Sequence, residues 1–273
     1  MANVMKPSVG LRPFIRFYAH TDGHHLNAAF VQPVPARTAP VLEFSFGDRY
    51  TVTFPGSSRS EISDPITIVG AQTHRRLFLT MRGRVISFVI VFQPGGLQAL
   101  FSVTPGLLTD RHFEGRSVLG ADVDQLWAQL APCPSFIERA RVADTYLLKR
   151  YALGIKQDAA VVPAANALFN RCGGGRVSVM AEQAGLSVRQ FERRFNTLMG
   201  MPPKTYARIA RFEVALRAKL QSPASRWTDI AHLLGYHDQM HMVHDFRELA
   251  GSTPTHVAPQ LTMFVQDELD ATR

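Results

Sequence analysis

The strongest constraint on this chain is a pattern that returns after fifty residues. Ala181-x-x-x-Gly185 recurs as Ala231-x-x-x-Gly235, and Phe191-x-x-x-Phe195 as Met242-x-x-x-Phe246. Gly200-Met201-Pro202-Pro203 likewise recurs as Gly251-Ser252-Thr253-Pro254. Each unit reads as a short helix, a glycine turn, a second helix and a Gly-then-Pro stop. The turn glycine supplies the left-handed backbone that a sharp helix–helix connection needs. Ser187 and Asp238 stand where a side-chain oxygen can cap the second helices, predicted at about 188–199 and 239–250. A duplicated helical unit of this size predicts a C-terminal all-α domain over residues 164–262.

The second helices decide what the units expose. Phe191, Phe195 and Leu198 share one face at i, i+4, i+7 and belong in a core. That turns Arg189, Glu192, Arg193 and Asn196 outward, with Gln190 and Arg194 on the flanks. A helix that presents arginines and amides, braced by a shorter helix, suits insertion into the major groove of duplex DNA. An ordinary amphipathic helix also exposes charge, but duplication of turn, cap, core and stop positions favours the DNA reading. The intervening helix, Pro203 to Leu220, carries Arg208, Arg211, Arg217 and Lys219 and can fix the spacing of the two modules. Its apolar set is Tyr206, Ile209, Ala210, Phe212, Ala215 and Leu216.

Charge agrees with this division. The 273-residue chain has a formal net charge of +8, which raises nucleic acid as a partner. Residues 160–230 hold eleven Lys/Arg against four Asp/Glu, whereas 231–260 hold one against three and five of the ten histidines. The first unit is therefore expected to dominate affinity.

Residues 1–120 have a different texture. Val41–Phe46 and Tyr50–Phe54, separated by Gly47-Asp48, read as a hairpin with a long turn. Pro65–Val69, Arg76–Met81 and Val85–Phe92 continue the strand pattern, and Val85–Phe92 is apolar on both faces, as a central strand is. From Asp122 the period becomes helical: Ser135 and Glu138 form a capping-box signature. Phe136, Ala140, Ala143, Leu147 and Tyr151 then recur along one face, which serves either a core or a dimer. The expectation is an α+β chain: an N-terminal small β-barrel or sandwich with helices over 1–155, a linker over 156–163, the helical domain, and a tail over 263–273. The longest apolar run is too short for a membrane span, no signal-peptide core is seen, and Cys133 and Cys172 form no paired motif, so a soluble cytoplasmic protein that joins the nucleoid through DNA is expected.

The C-terminal motifs resemble the AraC/XylS family of bacterial transcription regulators. The resemblance covers about Val177 to Val257. It rests on Met180–Ser187, Arg193-Arg194-Phe195, Gly200-x-x-Pro203-x-x-Tyr206 and Arg211 in the first unit. The second adds Asp229-Ile230-Ala231-x-x-x-Gly235-Tyr236-x-Asp238-Gln239 and Phe246-x-x-x-x-Gly251-x-x-Pro254. It implies a seven-helix, two-unit DNA-binding domain behind an N-terminal effector or dimerisation domain. Promoter DNA is the partner it implies, RNA polymerase is a candidate partner, and the apolar stripe leaves open a homodimer through the N-terminal domain or helix 135–151. Its DNA-facing residues fall on Arg189, Glu192 and Arg193, then on Gln239, Met240, Val243 and His244, with Arg247 nearby. His244 departs from the family, which usually has arginine there. Phe92-x-Pro94-Gly95-Gly96 and Leu42–Asp48 resemble a branch whose N-terminal domain has no generally established ligand.

Other chemistry fits the residues less well. His237, His241 and His244 share a helical stripe, but it overlaps the predicted DNA face. His24-His25 with Asp22 and Glu43 is a looser group. Neither a phosphate-cradling Gly-Lys-Ser/Thr motif nor Gly-x-Ser-x-Gly is present. No metal or catalytic residue is expected, and the alternatives to a regulator are an enzyme in the β-domain or an architectural DNA binder. A small-molecule effector is open in the β-domain, where Phe, Val and Ile could enclose an apolar or aromatic molecule, although the same residues are the expected core. Arg75, Arg76, Arg82 and Arg84 could meet an anionic group, but alternation around a turn would equally leave them solvated.

Overall fold

The computed structural model describes residues 3–75, 77–154 and 160–258. Arg76, residues 156–159 of the expected linker, and the expected tail 263–273 lie outside them. The N-terminal half is an antiparallel sheet of β1 (Asn3–Met5), β2 (Ile15–Val34), β3 (Val41–Ser45), β4 (Thr51–Thr53), β5 (Ser60–Ile62), β6 (Ile66–Val69), β7 (Leu77–Phe92) and β8 (His112–Glu114). The strand order is β1-β2-β7-β3-β6-β8, with β4 bridging β7 and β5. The region predicted as two strands, 76–81 and 85–92, is the single long β7, which pairs with β2, β3 and β4. The predicted 41–54 hairpin does not form. β3 and β4 each pair separately with β7, because its length offers two partner sites along one edge.

Alternation along these strands makes two layers. Phe88, Ile90 and Phe92 of β7, with Tyr18 of β2, enter a core shared with helices α1 (Gly96–Phe101), α2 (Gly115–Leu119), α3 (Asp122–Leu130) and α4 (Phe136–Ala152). Their neighbours Ser87, Val89 and Val91 face the other side, as do Phe17, Ala19 and Thr21 of β2. A register shift between His25 and Phe30 changes the parity of β2, so Gln32 and Val34 rejoin that second face. Residues from every strand but β1 converge there on one cavity, so the sheet curls around it. On α4, Ser135 Oγ accepts from Glu138 N at 3.2 Å. Ala140, Ala143 and Leu147 are buried against the sheet, so the predicted stripe is chiefly intramolecular core.

The C-terminal half comprises α5 (Val162–Asn170), α6 (Val177–Gln183), α7 (Val188–Met199), α8 (Pro203–Gln221), α9 (Trp227–Leu233) and α10 (Gln239–Ala250), with residues 254–258 also helical. One core runs through all of it. The buried set of α8 contains every apolar residue predicted for it. Gly185 and Gly235, the turn residues of α6–α7 and α9–α10, adopt φ of +64° and +70°, as the repeat requires.

Candidate DNA-binding face and an adjoining cavity

The two second helices begin on their predicted caps. Ser187 Oγ accepts from Gln190 N at 3.3 Å while Gln190 Oε1 accepts from Ser187 N at 3.1 Å, a reciprocal capping box. In the second unit Asp238 Oδ1 accepts from His241 N at 2.7 Å. That bond, with His237 beside it, holds the Asp238 carboxyl below its usual range. Behind α7, Phe195 packs edge-on against Tyr206 at 5.4 Å and tilted on Phe191 at 5.7 Å. These anchors fix the helix rotation. Arg189, Gln190, Glu192, Arg193, Arg194 and Asn196 are all exposed, on the outward side the sequence assigns them.

On α10, Met242, Phe246 and Leu249 are buried, and Gln239, Met240, His244 and Arg247 are exposed. Val243 is half-buried. His244 Nε2 lies 3.5 Å from Glu248 Oε1 one turn on. The acidic balance of residues 231–260 is offset from outside the segment: Arg208 of α8 reaches buried Asp245 at 2.5 Å and also pairs with Glu248. Arg208 therefore docks α10 on α8 and holds the Glu248 carboxyl below its usual range. Two other α8 cations serve the fold similarly. Arg211 Nε donates to Cys172 O, and Lys219 Nζ donates to Pro223 O and Ser225 O at 2.7 and 2.6 Å.

A second feature was not legible in the sequence. A cavity of about 240 Å³ lies between the concave side of the sheet and α8, whose Phe212, Glu213 and Leu216 form part of its wall. Its polar lining includes Gln32, Arg37, Glu43 and Tyr50. Tyr50 Oη donates to Glu43 Oε2 at 2.6 Å. Burial pushes the Glu43 carboxyl up and lowers the Arg37 guanidinium to about 10, the latter eased by Glu43 and Glu213. The one sequence hint was a glutamate inside the apolar run Val41–Phe46.

The other sequence groupings are not brought together. Among the described residues of the group around His24, only Asp22 and His24 meet, at 3.7 Å; Asp22 pairs more closely with Arg84 at 2.9 Å, and Glu43 serves the cavity. Arg75 lies over Phe78, and Arg82 is exposed. His237 bonds Asp238, His241 meets the edge of Tyr236, and His244 faces Glu248.

Residues 180–260 match the helix-turn-helix domain family, and residues 3–114 match a domain of unknown function, DUF6597. No curated protein matches the chain. Among solved structures it is similar to ToxT from Vibrio cholerae, at 10% identity and a TM-score of 0.51, over 90% of this chain and 98% of that one. ToxT from Vibrio cholerae O395 gives 0.51 at 10% identity, over 96% and 98%. Wild-type ToxT from strain SCE256, bound to an unsaturated fatty acid, gives 0.50 at 9%, over 96% and 95%. The likeness is one of fold: an antiparallel β-domain followed by a helical domain of two helix-turn-helix units.

Proposed function

We propose that the chain is a DNA-binding transcription regulator of the AraC type, its residues 180–260 matching the helix-turn-helix domain family, and that α7 and α10 read successive major grooves of promoter DNA. The observation that carries this is the outer face of α7, a capped and exposed row of Arg189, Glu192, Arg193 and Asn196 held outward by buried Phe191 and Phe195. Arginine there can pair bidentately with guanine. In the second unit Gln239, Met240, Val243, His244 and Arg247 take the corresponding positions. An imidazole offers phosphate fewer donors than the five N–H groups of a guanidinium, so α7 anchors the complex and α10 tunes sequence choice.

The cavity is the place we assign to a small-molecule effector, because its wall includes α8, the helix that joins the two DNA-reading units. Self-association belongs to the outer side of α4, where Ile137, Leu148 and Tyr151 remain exposed. Among the described residues no helix is long and apolar enough to cross a membrane. A genome-wide occupancy map tests the reading. A few discrete promoter sites support a regulator, and uniform coverage contradicts it in favour of an architectural protein.

A further inference from the structure

Three consecutive residues of the segment between β2 and β3 touch three different things. Ala36 N donates to Leu249 O, at the end of α10, at 2.8 Å. Arg37 lies on the cavity wall, its backbone held by two bonds to Gln72 at 2.9 Å. Thr38 N donates to Glu213 Oε1 of α8 at 2.6 Å, and its hydroxyl donates to the same carboxylate at 3.1 Å. Arg16 Nη1 lies 3.7 Å from that carboxylate too. Adjacent Cα atoms are about 3.8 Å apart, so a displacement of Arg37 is felt directly at both neighbours.

The cavity's chemistry limits what can occupy it. A 150 Å³ apolar cavity holds benzene, so about 240 Å³ has room for two fused rings or their equivalent. Phe17, Val34, Val52, Leu77, Met81 and Val91 make most of the surface apolar. Two wall donors, Gln32 Nε2 and Arg37 Nε, are buried with no hydrogen-bond partner among the described residues. Gln32 is 1% exposed. An unsatisfied buried donor is costly, and an acceptor on a ligand relieves it. The wall's carboxyls are already engaged: Glu43 accepts from Tyr50, Glu61 meets His112 and Arg59, Asp64 faces Arg49, and Glu213 faces Arg16. An added anion would face the Glu43 carboxylate inside a largely apolar cavity.

We propose that the cavity takes a neutral, mainly apolar molecule with one hydrogen-bond acceptor, and that residues 36–38 relay its presence to α8 through Thr38 and to α10 through Ala36. This rests on the cavity being the effector site. Hydrogen exchange of the full chain tests it with three probes: 2-acetonaphthone, which has one carbonyl, 2-ethylnaphthalene, which has none, and 2-naphthoate, which is anionic. The ketone is expected to slow exchange in residues 30–39 and to alter it in 205–216 and 245–252, with the other two binding at least tenfold more weakly. Gln32→Leu is expected to erase the preference for ketone over hydrocarbon. Glu213→Ala, which removes the acceptor for Thr38, is expected, at a ketone concentration that saturates the variant, to lose the response in 205–216 while keeping that in 245–252. If the ketone does not bind wild type, the effector reading falls and this inference with it. If naphthoate binds as tightly as the ketone, or Gln32→Leu keeps the preference, the ligand class is wrong. If Glu213→Ala still transmits the response to 205–216, the relay is wrong and the effector reading survives.

Discussion

The orientation of α7 is tested by a pair of substitutions two residues apart. Phe195 is fully buried and packs on Phe191 and Tyr206. Truncation to alanine removes a ring from a closed core and costs about 3–5 kcal/mol. For a helical domain of this size, that lowers Tm by at least about 12 °C. Arg193 is exposed, and the Thr197 hydroxyl bonds its backbone carbonyl rather than its side chain. Arg193→Ala should therefore change stability by less than about 0.5 kcal/mol, as exposed substitutions do. If Arg193 reads a guanine, its loss costs about 1–3 kcal/mol of binding, or about 5- to 160-fold in Kd. Calorimetric melting gives the first quantity, and titration of a labelled operator at fixed salt gives the second. The reasoning fails if Arg193→Ala melts like Phe195→Ala, or if it binds the operator as tightly as wild type.

Three further outcomes follow from named contacts. Arg208→Met leaves the Asp245 carboxylate buried without its partner and should cost about 3 kcal/mol, toward the low end for buried pairs because Arg208 is a third exposed; Asp245→Asn should cost less, and urea unfolding ranks them. Burial depresses the pKa of His20, which bonds Ser87 O at 2.8 Å, so the unfolded chain binds more protons just below pH 6.5. Stability should thus fall as pH drops from 7.5 through 6.5, less steeply in His20→Gln, as thermal melts across pH would show. On one operator at pH 8, His244→Ala should lose little affinity and His244→Arg should gain it; a loss for His244→Ala equal to that of Arg193→Ala would make neutral histidine an equal anchor.

What the sequence revealed was local. Caps, turn glycines and core spacing of the repeat are each settled within about fifteen residues, and Ser187, Gly185 and Phe195 lie where that spacing puts them. The misreadings involved distant partners. β2 was not among the expected strands; Asp22-Gly23-His24-His25 stand in its middle, and it is a strand because β7 pairs along it through a change of register. The acidic balance of the second unit is met in part from elsewhere in the chain, since Arg208 of α8 pairs with two of its acids. The cavity drew on strands from residue 17 to residue 112 and on a helix beyond residue 200, which no window of sequence spans.

The central claim is that two helices read two successive major grooves. Guanine-methylation interference with the full chain on a bound promoter tests it directly. The account predicts two clusters of interference on one face of the duplex, about 10–10.5 base pairs apart, with Arg193→Ala weakening the cluster read by α7. A single cluster, or interference independent of sequence, would contradict it.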